Sequence, residues 1–125
     1  MRRFLLPLLA LAAPGAAAGA PAETVSVALS SFHFEPSAIH LKAGAPVTLH
    51  LVNAGNAGHD FTAPAFFAAA RIAPDDAGLV RDGSVELHGG QTRDIHLTPA
   101  RGRYKLKCGH FLHKTMGMSG TILVD

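Results

Sequence analysis

The sequence contains only one cysteine, Cys108, in 125 residues. A single cysteine excludes a disulfide within the chain, and exported proteins normally use their cysteines in pairs. In an exported protein a lone thiol is an intermolecular partner, a liability or a metal ligand. The residues that follow Cys108 favour a ligand, because His110, His113, Met116 and Met118 come shortly after it.

Long hydrophobic runs are also scarce. The longest, residues 4–13, is too short for a membrane-spanning helix of roughly 20 residues. It follows a basic start and precedes small residues, which is the pattern of a secretory signal peptide rather than an uncleaved anchor. The small residues Ala20 and Ala22 predict cleavage after Ala22, and Ala18 is the other candidate position.

Cleavage after Ala22 divides the chain into a signal peptide at residues 1–22 and a domain at residues 23–125. A domain of about a hundred residues can build one hydrophobic core. No internal repeat and no second domain is visible in the sequence. We therefore expect a single-domain mature protein that is exported to the periplasm and has no membrane span.

An excess of charge of one sign is missing from the predicted mature chain. The sequence has 11 Lys and Arg against 9 Asp and Glu, and Arg2 and Arg3 belong to the signal peptide. The near-neutral remainder gives no reason to expect nucleic-acid binding. Five basic residues nevertheless cluster near Cys108, either to face an acidic partner or as a solvated strand face. They are Arg101, Arg103, Lys105, Lys107 and Lys114.

Alternating apolar and polar residues predict strands through most of the mature chain. Residues 66–71 predict a helical turn started by Pro64, and residues 73–76 a loop. Short strands, frequent turn signals and no long helix indicate an all-β sandwich. The predicted strands are residues 23–31, continued by Phe32 and Phe34, then 39–42, 46–53, 84–87, 91–97, 103–108 and 120–125, with 84–87 and 91–97 as a candidate hairpin around Gly89-Gly90.

Several motifs resemble the cupredoxin family over the whole mature chain. The ligand spacing, with four residues between Cys108 and His113 and four between His113 and Met118, is similar to that of rusticyanin and auracyanin. A histidine, His59, follows a glycine-rich loop, as the family requires. The other motifs are Phe34-Glu35-Pro36, Lys42-Ala43-Gly44, Val47-Thr48-Leu49, the segment from Gly102 to Cys108, and Gly117-Met118-Ser119-Gly120.

The resemblance implies a Greek-key β-sandwich of about seven to eight strands with one type 1 copper ion at one end. It implies that His59, Cys108 and His113 bind the copper and that Met118 is a weak axial ligand. The donor chemistry agrees, because thiolate, thioether and imidazole suit copper far better than magnesium or calcium. Donors held by a rigid sandwich also resist the geometry change that slows electron transfer.

Three further residues leave alternatives open. Met116 is the other candidate for the axial position, although Met118 matches the family spacing. His110 lies where the family has no ligand, so it is an exposed or neighbouring histidine, or one that takes part in copper uptake or proton-coupled redox chemistry. Asp60 stands where the family usually has a neutral residue. It either points inward and lowers the reduction potential or turns to solvent.

The resemblance favours a monomeric electron carrier that is not an enzyme. It would dock near His113 on larger redox proteins such as cytochromes or copper enzymes. A periplasmic protein of copper tolerance or delivery is the alternative, and His110 and Met116 keep it open. A zinc hydrolase is less consistent with the sequence, because the thioether of Met118 is a poor neighbour for zinc and no general base is evident.

Overall fold

The computed structural model describes residues 22–31, 33–109 and 118–125. These residues form ten strands, one short α-helix and one 3₁₀ helix. The elements in chain order are β1 (Glu23–Ser30), β2 (His33–Glu35), β3 (Ala38–Leu41), β4 (Val47–Asn53), β5 (His59–Thr62), α1 (Pro64–Ala69), β6 (Arg71–Ile72), the 3₁₀ helix (Pro74–Leu79), β7 (Ser84–Leu87), β8 (Thr92–Thr98), β9 (Gly102–Lys107) and β10 (Ser119–Val124).

The strands pair into two five-stranded sheets. The order in the first sheet is β2-β1-β4-β8-β6, and in the second it is β3-β10-β9-β5-β7. Within the first sheet β1 runs parallel to β4, and within the second β10 runs parallel to β3 and antiparallel to β9. The predicted all-β sandwich is therefore confirmed.

Alternation along the strands builds the core between the sheets. Val27 and Leu29 of β1 are fully buried, as are Leu51 of β4 and Ile95 of β8. Side chains in a strand point to opposite faces in turn, so each strand buries every second residue. Burying one such side chain contributes roughly 1.5–3 kcal/mol, which makes this apolar face the main stabilising element of the sandwich.

A row of aromatic rings extends through the core toward β9. Phe61 of β5 makes edge-on contacts with Phe34 and Phe67, at centroid distances of 6.0 and 5.9 Å. Phe66 contacts Phe67 at 5.2 Å and Tyr104 of β9 at 5.6 Å. The helical turn predicted after Pro64 is present as α1, and its two phenylalanines, Phe66 and Phe67, are buried and pack in the core.

Two strand predictions were wrong in their connections. Strands β7 and β8 do not form a hairpin, because β7 pairs with β5 in one sheet and β8 pairs with β4 in the other. The alternating pattern is the same for a hairpin and for strands in opposite sheets, since Val85 and Ile95 are buried in one core shared by both sheets. Likewise β2 does not continue β1: the chain reverses, and Phe34 lies opposite Leu29 in an antiparallel pair.

The remaining differences concern short elements. Strands β5 and β6 were not predicted, because a four-residue strand buried at three positions and a two-residue strand show no alternation. The segment after Ala73, predicted as a loop, is the 3₁₀ helix. No helix among the residues that the structure describes is long and apolar enough to cross a membrane.

Candidate metal centre

Three chain segments meet at one end of the second sheet: the start of β5, the end of β9 and the start of β10. Lys107, the last residue of β9, lies opposite Thr62 of β5 on one side and opposite Ser119 of β10 on the other. The backbone N–H of Cys108 continues this pairing by donating a hydrogen bond of 3.2 Å to the carbonyl of Met118. Cys108 and Met118 are therefore held opposite each other.

The pleat of the sheet directs the predicted donors of these segments into the sandwich. Cys108 follows the exposed Lys107, and Met118 precedes the exposed Ser119, so both donors fall on the buried face. His59 opens β5 two residues before the fully buried Phe61 and shares its face. His59 and Cys108 are fully buried, and Met118 is 2% exposed.

Asp60 connects β5 to the cysteine in two ways. Its backbone N–H donates a hydrogen bond of 3.5 Å to Cys108 Sγ. Its side-chain Oδ1 accepts one of 2.6 Å from the backbone N–H of Gly109 and another from Thr62 Oγ1. With 5% exposure, Asp60 takes the inward orientation rather than the solvent-facing one.

The loop that leads to His59 is held by Asn53, a residue that sequence reasoning did not single out. The buried side-chain amide of Asn53 donates to the carbonyls of Ala57 and Leu87, at 2.8 and 3.1 Å. Its Oδ1 accepts a hydrogen bond of 2.9 Å from the N–H of Gly55. The Asn-x-Gly pattern in the sequence was the available signal, since asparagine forms such turns with the second residue that follows.

Two glycines allow close approach around the same loop. A Cβ on Gly55 would lie 3.3 Å from His59 Nε2, so the imidazole rests directly against this backbone. A Cβ on Gly89 would lie 2.4 Å from the carbonyl oxygen of Asn56, closer than any real Cβ contact. The loop before His59 is thus packed on the segment after β7 without room for a side chain.

The structure brings together three of the four predicted ligands: His59, Cys108 and Met118. The fourth, His113, lies outside the described residues, as do His110 and Met116. Within residues 22–31, 33–109 and 118–125, no three histidine, cysteine or carboxylate side chains form a metal-holding group. The described donors are one imidazole, one thiol and one thioether on a buried face, a soft set of the kind that suits copper.

Two other histidines, His50 and His96, contact aspartates. His50 pairs with Asp94 across β4 and β8. His96 contacts Asp76 of the 3₁₀ helix through both its backbone N–H, at 2.8 Å, and its ring Nδ1, at 2.7 Å. The hydrogen bond from the His96 backbone lowers the pKa of Asp76 below its ordinary value of 3.8, outweighing partial burial, which raises it; the His96 ring adds to the lowering.

Comparisons with solved structures find the same sandwich fold in other proteins. Auracyanin B aligns with a TM-score of 0.62 and 23% identity over 86% of this chain and 91% of that one. Dithionite-reduced auracyanin from Roseiflexus castenholzii aligns at 0.61 and 19% identity over 83% and 98%. A multicopper oxidase from Campylobacter jejuni aligns at 0.63 and 11% identity, over 83% of this chain but only 30% of the oxidase. At these identities the likeness establishes the fold alone.

Comparison by sequence gives the family. None of the curated proteins compared by sequence matches this chain. The family model described as a cupredoxin-like domain matches residues 3–124, nearly the whole sequence. This match agrees with the buried His59, Cys108 and Met118 at one end of a two-sheet sandwich. The chain belongs to the cupredoxin-like domain family.

Proposed function

We propose that this protein is an exported, mononuclear type 1 copper protein that carries single electrons between redox partners. The residues that would hold the copper ion are His59, Cys108 and His113, with Met118 as a weak fourth ligand. Residues 1–22 are the signal peptide, and the mature domain, residues 23–125, works in the periplasm as a monomer. The protein is a carrier and not an enzyme.

The observation that carries the proposal is the convergence of His59, Cys108 and Met118 on one buried face. When bound, copper supplies a centre that gains and loses one electron as it cycles between Cu(II) and Cu(I). A thiolate, imidazoles and a thioether suit both oxidation states. A zinc site for hydrolysis would instead keep a position open for water, and a buried thioether does not serve that purpose.

The chain's own residues hold the donors in place. The Asp60 N–H stabilises negative charge on Cys108 Sγ, since a hydrogen bond to the charged form favours that form. Pairing of Cys108 with Met118 fixes the base of the ligand loop, and Asn53 fixes the loop before His59. Burial keeps bulk water away from these side chains. Donors held this way rearrange little when the charge of the centre changes.

The partner proposed for this carrier is a larger redox protein, such as a cytochrome or a copper enzyme. It docks transiently near His113, at the end of the sheet where Cys108 and Met118 face each other. A short distance between the two redox centres then needs no large movement of either protein.

The test is addition of Cu(II) to the purified mature chain. We expect an intense visible band from thiolate-to-copper charge transfer that bleaches on reduction and returns on oxidation. Cys108→Ser and His59→Ala should abolish the band, whereas His96→Ala, which removes an imidazole from the strand β8, should keep it. A band that survives Cys108→Ser overturns the ligand assignment. Tight Cu(I) binding with no band favours copper delivery instead.

A further inference from the structure

One face of β9 carries a row of basic side chains, which we call the basic stripe: Arg101, Arg103, Lys105 and Lys107. Arg101 directly precedes the strand, and the other three alternate along it. All four are exposed, while Leu106 between them is buried. Alternate residues of a strand share a face, so Arg103, Lys105 and Lys107 project from the same outer surface, and the exposed Arg101 precedes them.

The neighbouring strand does not neutralise the stripe. On β10, Ser119, Thr121 and Leu123 lie opposite Lys107, Lys105 and Arg103, respectively. None of these three carries a charge. No ion pair joins a side chain of the stripe to any carboxylate of the described residues.

The nearest carboxylates along the sequence and the sheet are engaged elsewhere, belong to a more distant strand or lie at the Arg101 end. Asp60 is buried and accepts hydrogen bonds from Gly109 and Thr62. Glu86 belongs to β7, which is separated from β9 by β5. Asp125 follows β10 next to the Arg101 end of the stripe, but no ion pair joins it to a stripe side chain. The stripe therefore presents its positive charge to solvent.

Among the described residues, this arrangement forms no stabilising ion pair. Like charges that are neighbours on one sheet face repel each other and are destabilising by a few tenths of a kcal/mol. The net charge does not account for the stripe, since basic and acidic residues nearly balance, at 11 and 9. A local positive potential of this kind favours association with a partner, because complementary charge steers partners and selects among them.

The stripe also has a useful position. It spans about 20 Å at a rise of roughly 3.3 Å per residue, and it ends at Lys107, the residue before Cys108. A partner bound along it would reach from the side of the second sheet to the metal end. Arginine and lysine donate charge-assisted hydrogen bonds to carboxylates, which makes an acidic protein surface the matching occupant.

We propose that the basic stripe docks an acidic surface of the protein's redox partner. That the partner is a redox protein rests on the proposed function, whereas the stripe itself is defined by the described residues alone. Docking along β9 extends the contact beyond the ligand loop and fixes the orientation in which the partner approaches Cys108.

The test measures binding of a polyglutamate peptide to the mature copper-loaded protein in its reduced form, followed by backbone amide NMR shifts. The stripe variant is Arg103→Gln/Lys105→Gln. Its matched control is Arg71→Gln/Arg81→Gln, which removes the same charge from exposed positions on β6 and before β7. We expect shifts over residues 101–107, affinity about tenfold lower in the stripe variant and nearly unchanged in the control, and weakening with added salt.

Equal loss of affinity in both double variants would overturn the proposal, because net charge alone would then explain binding. Tighter stripe-dependent binding of duplex DNA or of phosphatidylserine vesicles than of the peptide would overturn it in favour of that occupant. Amide shifts elsewhere in the spectrum report whether each variant is folded. The visible copper band distinguishes failure of the docking proposal from failure of the proposed function. If the band is present but the stripe variant binds the peptide like wild type, only the docking proposal is overturned. If the band is absent but binding depends on the stripe, only the proposed function is overturned.

Discussion

Asp60 hydrogen-bonds the thiol of Cys108 through its backbone N–H, at 3.5 Å, and the residue after Cys108 through its carboxylate, at 2.6 Å. One residue of β5 therefore determines the position of both the sulfur and the start of the ligand loop. The same residue places a carboxylate beside the candidate metal centre, at 5% exposure. Position and charge can be separated by substitution, because asparagine has nearly the same shape.

Asp60→Asn should raise the reduction potential of the copper-loaded protein. A nearby carboxylate favours the more positive oxidised ion, and asparagine removes that charge while its Oδ1 still accepts from the Gly109 N–H. A lost interaction of about 1.4 kcal/mol corresponds to about 59 mV for a one-electron couple. Spectroelectrochemistry of the visible band measures the shift. Asp125→Asn, the same change at the far end of β10, should leave the potential almost unchanged. An equal shift in both would contradict a local effect of Asp60.

Met118→Gln should change both the visible spectrum and the potential. Replacing a soft thioether with a harder amide oxygen favours the oxidised ion, so the potential should fall, because the axial ligand tunes such sites. The substitution is made at a position that is 2% exposed. Met116→Gln is the matched control, since Met116 is the other methionine proposed for the axial position. If only the Met116 variant changes the visible spectrum, Met116 rather than Met118 is the fourth ligand.

Gly89→Ala should destabilise the loop that leads to His59. The new Cβ would stand 2.4 Å from the Asn56 carbonyl oxygen, so the backbone has to shift, at a cost of about 1–3 kcal/mol. Urea unfolding of the metal-free protein measures this loss, and copper titration should show weaker binding. Gly78→Ala in the 3₁₀ helix, where a Cβ meets nothing within 4 Å, should be close to neutral. Equal losses in the two variants would show that the contact with Asn56 is unimportant.

The Asp76 and His96 pair predicts a pH dependence of stability. Because the folded pKa of Asp76 lies below its ordinary value of 3.8, the ionised carboxylate stabilises the fold at pH values above that value. This contribution, up to about 1 kcal/mol for a partly exposed pair, disappears as the pH falls through the folded pKa. The difference in unfolding free energy between wild type and Asp76→Asn should therefore shrink as the pH falls through the folded pKa of Asp76. Asp75→Asn, at an exposed position with no hydrogen bond to His96, is the control, and an identical course for both variants would contradict the assignment.

Sequence patterns predicted the strands that alternate over many residues, such as β4, β8 and β9, because burial on one face leaves a clear period of two. They could not assign β7 and β8 to different sheets, since an apolar residue such as Val85 is equally well buried from either side of one core. They also missed β5, whose buried His59 and Asp60 interrupt the alternation. Irregular patterns of this kind arise where a strand contributes to a site.

Some features of the candidate site were predicted from the sequence and others were not. Spacing and donor chemistry singled out Cys108 and Met118, and their opposed positions at the ends of β9 and β10 agree with a shared role. The orientation of Asp60 was undecided, because the sequence alone does not show that the Gly109 N–H comes within 2.6 Å of its carboxylate. Asn53 was overlooked because its hydrogen-bond partner Leu87 is remote in sequence.

The pairing of Cys108 with Met118 has a consequence for how this centre can change. The chain leaves β9 and joins β10 at directly opposed positions, so residues 109–117 connect two adjacent points of one ladder. Lengthening or shortening that connection leaves the register of both strands intact. Residues 109–117 can therefore be exchanged as a unit, while β5, Cys108 and Met118 keep their positions at this end of the sheet.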